Sequence, residues 1–228
     1  MVRQASGGLS PYTLTGALAL ALFTGMSFFL FVKELDQYSR GLLDETEGFE
    51  HWLDPDHDLP LSSNGQIDLL SGCIFALESW KTRFRSQEDI SIVVENCSLE
   101  ANRILGFNPH LSEAHYLNAY TSYLGGANDQ AVTSLSAAQR TAPTDQWLAV
   151  RRVNLSQSMF PGEAEIAEYN LQNDLGLLIA SNRGLDTATR LYIKYPQLRE
   201  MIVASTETLS DSARLRFLNK LQRSVARR

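Results

Sequence analysis

Two imidazoles and three carboxylates crowd one short stretch, His51-Trp52-Leu53-Asp54-Pro55-Asp56-His57-Asp58, a set of nitrogen and oxygen donors able to hold a divalent metal ion. The spacing matches no strong metal template. An EF-hand loop would need glycine near Leu59 and a carboxylate where Gly65 stands, and His51 and His57 do not share one face of a helix. With Pro55, Pro60, Ser62, Ser63, Asn64 and Gly65 around them, these residues read as a polar loop between helices. A membrane-anchored, metal-dependent envelope enzyme using this loop is the alternative reading. His110 and His115 flank the start of a helix, where capping or packing is expected of them. No glycine-rich phosphate loop or nucleophile elbow occurs, so the expectation is a non-enzymatic chain without cofactor, metal or small-molecule substrate.

The other reactive pair is Cys73 and Cys97. Residues 66–84 read as a helix, with Ile67, Leu70, Ile74, Leu77, Trp80 and Phe84 near the helical period. Residues 89–105 read as a second, through Ile90, Val93, Val94, Cys97, Ala101, Ile104 and Leu105. With the turn near Arg85, each cysteine lies twelve residues from it, so an antiparallel hairpin brings the two sulfurs to one level. A disulfide there stabilises the domain by roughly 3 kcal/mol in the chain-entropy model. Two reduced, buried cysteines in a cytosolic domain are the alternative, whereas a metal pair lacks further ligands at suitable spacing.

These elements hang from an apolar segment. No charged residue lies between Arg3 and Lys33, and residues 13–32 (TLTGALALALFTGMSFFLFV) match the length of a bilayer-crossing helix. The run exceeds the apolar core of a secretory signal, and it ends in Phe28, Phe29, Leu30, Phe31 and Val32, too bulky for a cleavage site. It is expected to be an uncleaved signal anchor spanning 13–33 after a short 1–12 tail. Arg3 before the span nearly balances Lys33 and Arg40 after it, so basic residues alone do not orient it. The long acidic domain behind the anchor and the cysteine pair favour a cytoplasmic amino terminus and a periplasmic or extracytoplasmic domain, in a single-pass inner-membrane protein. Thr13, Ala17, Ala21 and Gly25 form a narrow stripe of small side chains on which another transmembrane helix could pack; an Ala/Leu-rich span also produces such stripes by chance.

A 44% hydrophobic content and a net charge of −6 describe an ordinary globular chain, and the acidic balance argues against nucleic acid as a partner. The basic end, SARLRFLNKLQRSVARR, reads as a last helix packing Leu215, Phe217, Leu218 and Leu221 on the domain, with a membrane-surface helix as the second reading.

Pro109 and Pro143 stand 34 residues apart, each closing a similar phrase, ANRILGFNP and SAAQRTAP, and 34 residues is the period of tetratricopeptide units. The stretch LSEAHYLNAYTSYLGGANDQAVTSLSAAQRTAP resembles one such repeat in Gly126, Ala131, Leu135, Ala138 and Pro143, and departs from it at His115 and Asn118. One period earlier, Cys97 takes the place of Ala131, a small residue facing the partner helix. Further helices are expected over 144–156, 162–181, 185–195, 196–209 and 210–227, with Asp186 or Thr187, Pro196 and Ser210 as starts for the last three.

No segment shows a strand pattern, so the expected class is all-α. The resemblance implies a right-handed TPR-like stack over 66–181, preceded by a 34–65 juxtamembrane helix and loop and capped by helices over 182–228. In this repeat family the first helix of each unit lines a groove. By alignment Glu113, Tyr116, Tyr120, Tyr123 and Leu124, then Trp147, Val150, Arg151 and Asn154, would face it, with some of these aromatics alternatively filling the core. The implied function is a membrane-anchored scaffold that binds a partner protein, including an integral membrane complex of secretion, polysaccharide-export or respiratory type.

Overall fold

A computed structural model describes residues 11–40, 45–54, 59–159 and 171–226, and every regular element among them is helical. The first helix, α1 (Pro11–Arg40), is the longest, and its Thr15–Val32 portion is long and apolar enough to cross a membrane. Its large side chains face outward: Leu20, Phe23 and Phe28 are each about two-thirds exposed or more. In water such a surface would be costly, at roughly 25 cal/mol per Å² of apolar area. Ala17, Ala21 and Gly25 lie exposed on this helix, while the Thr13 side chain lies outside the described residues.

After α1 come a short helix, α2 (Glu45–His51), and the longer α3 (Ser63–Glu78). Ser62 starts α3 by accepting a hydrogen bond from the Gly65 amide. Glu34, just past the apolar portion of α1, reaches this same cap. Its Oε1 accepts from the Leu61 and Ser62 amides at 3.0 and 2.8 Å, and its Oε2 accepts from the Ser62 hydroxyl at 2.7 Å. These bonds, the Ser62 hydroxyl foremost, hold the Glu34 carboxyl below its ordinary titration range. A Cβ on Gly65 would stand 2.6 Å from the Pro60 side chain and 2.7 Å from Glu34 Oε2, so the tight fit of anchor on domain requires glycine there.

The helix expected over 66–84 is interrupted. α3 stops at Glu78, Ser79 turns extended, and residues Trp80–Phe84 form a separate 3-10 turn. Two hydroxyls cause the break: Ser79 Oγ accepts from the Lys81 amide, and buried Thr82 donates to the Ala76 carbonyl at the end of α3. Trp80 and Phe84 keep the helical spacing in the sequence yet are 61% and 79% exposed, so they are not core residues. Ser86 then caps α4 (Gln87–Phe107), longer at both ends than the 89–105 expectation. Across this hairpin Cys73 and Cys97 form a disulfide with Cα atoms 5.8 Å apart, both fully buried. Asn96 donates to the Trp52 carbonyl, fastening the segment after α2 to α4.

Beyond the hairpin, α5 (Ser112–Leu124) and α6 (Asn128–Thr141) pack most extensively on each other, joined at Gly126, whose φ of 78° suits glycine alone among ordinary residues. Cys97 and Ala131, equivalent in the 34-residue register, are both fully buried. Next come α7 (Gln146–Met159) and α8 (Leu171–Ala180), which pair. The expected 162–181 helix is described from Leu171 onward; its first part lies outside the described residues. Arg152, fully buried, binds these elements together: its Nε and Nη2 donate to Asp174 at 2.8 and 2.7 Å, and it also reaches the Ala138 and Ala142 carbonyls ending α6.

The last three helices are α9 (Gly184–Lys194), α10 (Arg199–Glu207) and α11 (Asp211–Val225). α9 starts earlier than Asp186 or Thr187, because the Ser181 hydroxyl accepts from the Gly184 amide. Pro196 opens the 3-10 turn leading into α10, and Ser210 caps α11, as expected. α11 buries Ala213 and Phe217 and half-buries Leu221, but Leu215 and Leu218 point outward at 59% and 45% exposure. The expected apolar face is thus divided, because Leu215 and Leu218 fall on the side of the helix away from Phe217.

Candidate partner-binding site

The residues expected to line one groove do not come together in one place. Tyr116 lies inside the fold at 1% exposure, a core residue rather than a groove wall, and its hydroxyl donates to Glu78 Oε1 at 3.2 Å. Burial, reinforced by the nearby Glu78 carboxylate, drives its phenol well above the ordinary tyrosine range. Tyr120 stacks nearly parallel on Tyr116, with ring centroids 6.3 Å apart, and burial together with Glu78 pushes its hydroxyl up to about 12. Both hydroxyls stay protonated at physiological pH, and that of Tyr116 donates to Glu78.

Above these tyrosines sits Arg151. Its guanidinium lies over the Trp147 ring at 4.2 Å and near the Phe75 ring at 5.3 Å, and its Nη1 donates to Glu78 Oε2 at 2.5 Å. Each cation–π contact is worth roughly 0.5–2 kcal/mol depending on desolvation. Trp147 and Arg151 stand one helical turn apart on α7, so they share a face, while Phe75 and Glu78 end α3. Phe75 and Trp147 remain 59% and 42% exposed, and the exposed Trp80 and Phe84, edge-to-face at 5.8 Å, follow directly along the chain. The result is an open surface of rigid aromatic rings around a guanidinium pinned in place by a carboxylate.

Three further expected residues lie elsewhere. Leu124 borders a groove of ≈ 520 Å³ with Ile90, Val94 and Leu99 of α4, whose lining does not include Arg151. Asn154 borders a small cleft with Arg190, Lys194 and Tyr195. Tyr123 donates to the Ser158 carbonyl, bracing α5 on α7. Val150 is half-buried against the core, and Glu113 is half-buried with its carboxyl raised chiefly by that burial. A helical register places residues on a face but not at a depth, and depth is what separates Tyr116 and Val150 from the exposed Trp147.

Phe75 and Glu78 belong to this surface although neither is among the residues expected to line the groove. Phe75 falls off the apolar period of α3, the one signal in the sequence that it faces outward. Glu78 and Arg151 pair across 73 positions, a separation at which no local pattern operates.

The loop with the two imidazoles is described at its edges. His51 ends α2 with its ring edge-on to buried Trp52 at 5.5 Å, and Asp54 is exposed; residues 55–58, including His57 and two of the carboxylates, lie outside the described residues. His115 sits 2.9 Å from the Pro109 carbonyl through Nε2, a bond across the start of α5. Among the described residues no three His, Cys, Asp or Glu side chains gather at metal-binding distances. Comparison with family models, with curated proteins and with solved structures gives no match to this chain.

Proposed function

We propose that this chain is a single-pass, membrane-anchored scaffold of TPR-like helical-repeat type, which holds a partner protein in the cell envelope and supports the assembly or stability of a membrane complex. The observation carrying this reading is the pair of exposed rings, Phe75 and Trp147, held around Arg151, with the exposed Trp80–Phe84 pair following α3 along the chain. Large aromatic side chains left exposed on a folded domain cost solvation unless a partner covers them. Tryptophan, tyrosine and arginine are also the side chains that dominate interface energetics, since they bring much contact area with little rotamer entropy to lose. Arg151, held by Glu78 and stacked on Trp147, is already ordered before any partner arrives.

Supporting the anchor are the exposed apolar side chains of α1, and supporting an extracytoplasmic domain is the buried Cys73–Cys97 disulfide. In this reading α3 through α8 form successive antiparallel pairs of the repeat stack, α9 to α11 cap it, and Glu34 couples the stack to the span. Secretion, polysaccharide-export and respiratory assemblies are the kinds of membrane complex it would serve. Affinity purification of the full chain in mild detergent, followed by mass spectrometry, tests this. A stoichiometric partner lost in Tyr120→Ala/Trp147→Ala supports the scaffold, whereas partners that survive this change, with activity abolished by His51 and His57 substitutions in a metal-supplemented assay, refute it.

A further inference from the structure

The charges of this chain are unevenly shared. Residues 182–228 carry ten of its twenty Lys and Arg but only four of its twenty-six Asp and Glu, so a basic end follows an acidic body. The last helix, α11, concentrates this asymmetry with Arg214, Arg216, Lys220 and Arg223 against Asp211 alone, and Arg227 and Arg228 follow in the sequence.

α11 is also apolar on two sides. One side, Ala213 and Phe217, is spent on the fold, with Phe217 edge-to-face on Tyr192 of α9. The other side presents Leu215, Leu218 and Val225 at 59%, 45% and 59% exposure, with no described element packed over them. A terminal helix of a packed stack ordinarily turns a polar face to water. Several of the cations are anchored by neighbouring helices: Arg214 donates to the Thr206 and Glu207 carbonyls, Arg216 to the Ala180 carbonyl, and Lys220 pairs with Asp186. The Ala180 carbonyl neutralises none of the Arg216 charge, so that guanidinium keeps its field, whereas Lys220 is paired with Asp186 and Arg214 lies 3.8 Å from Asp211.

We propose that the outer face of α11 docks on an anionic phospholipid surface, with Leu215, Leu218 and Val225 entering the headgroup boundary and Arg216 and Arg223 meeting lipid phosphates. An apolar stripe flanked by arginines is complementary to a layer that is anionic at its surface and apolar beneath. A phosphodiester backbone would reward the arginines but not the leucines, and a second copy would be available only at sufficient protein concentration. Lipid is present at high local concentration whenever α1 spans the bilayer. The proposal thus rests on the anchor reading but not on the partner-binding surface at Arg151.

The test uses the full chain in nanodiscs of phosphatidylcholine alone or mixed with phosphatidylglycerol, read by hydrogen–deuterium exchange across α9, α10 and α11. Docking should slow exchange in α11 about tenfold in the anionic discs, a local effect because a terminal helix opens independently of the core. The difference should disappear in high salt, and shrink in Arg223→Gln and in Leu215→Ser/Leu218→Ser, all exposed positions on α11. Equal α11 exchange in the two lipids overturns the proposal. So does protection that rises with the number of chains per disc rather than with lipid charge, which would assign the face to a second copy. Failure of the chain to enter discs at all would refute the anchor reading on which the proposal stands.

Discussion

Changing Asp174→Asn should damage this fold far more than changing both members of its ion pair. Arg152 and Asp174 have side chains of zero exposure, and the carboxylate takes both Nε and Nη2 of the guanidinium. In the asparagine variant one carboxylate oxygen becomes an NH2 group facing an N–H donor of Arg152, and the buried guanidinium loses its counter-charge. Breaking a buried pair this way costs about 3–5 kcal/mol, a large share of the roughly 5–15 kcal/mol that stabilises a typical domain. Arg152→Met/Asp174→Leu removes the charge problem along with the pair. Two carbonyls lose a long bond from Arg152, at 3.4 and 3.3 Å, but each keeps another donor: Ala138 O accepts from Ser112 Oγ and from the Ala142 amide, and Ala142 O from the Asp145 amide. The double variant should therefore lie within about 1–2 kcal/mol of the parent. Urea denaturation followed by far-UV circular dichroism measures this: with a slope of about 2 kcal/mol/M, the midpoint should fall by roughly 1.5–2.5 M in Asp174→Asn and by under about 1 M in the double variant. A single variant within about 0.5 M of the parent, or a double variant as unstable as the single, would refute the reasoning.

Cys73→Ala/Cys97→Ala should lose about 3 kcal/mol, since the bridge closes a loop with a sequence separation of 24; denaturation with and without reductant should show that reductant no longer shifts the midpoint of this variant. Glu34 and Glu100 should shape acid stability in opposite directions. Glu34 has its folded pKa lowered by the Ser62 cap, so the native state binds fewer protons below 4.5, and its contribution is present above that pH and lost as pH falls through the folded value. Glu34→Gln should reduce stability at neutral pH and match the parent in strong acid, as read from midpoints across pH. Burial raises Glu100, with Arg103 only partly opposing it, so its cost is absent below 4.5 and grows as pH rises through the folded value; Glu100→Gln should flatten that decline.

Helix class and approximate helix positions were legible because each buried face repeats with the helical period, as in Leu70, Ile74 and Leu77 or Val93, Cys97, Ala101 and Ile104. The disulfide was legible for the same reason: hairpin symmetry fixed which residues sit at one level. Periodicity failed where hydroxyls decide. Trp80 and Phe84 extend the pattern of α3, yet the Thr82 hydroxyl bonds the Ala76 carbonyl near the end of that helix, and Ser79 caps the turn that follows it. It failed also where partners are distant in sequence: Glu34 on the Ser62 cap, Arg152 on Asp174 and Arg151 on Glu78 leave no local trace. Of the expected groove, Tyr120, Trp147 and Arg151 come together over Tyr116, and Phe75 of α3 adds a further ring to that surface.

The most direct test of the scaffold reading is photo-crosslinking in the native membrane, with a photoreactive residue placed in turn at Trp147, Phe84 and Arg140. Arg140 is exposed on α6 and takes no part in the aromatic cluster. The account predicts one shared crosslinked protein from positions 147 and 84 and none from 140. No crosslink from 147 or 84, or the same products from all three positions, would contradict it.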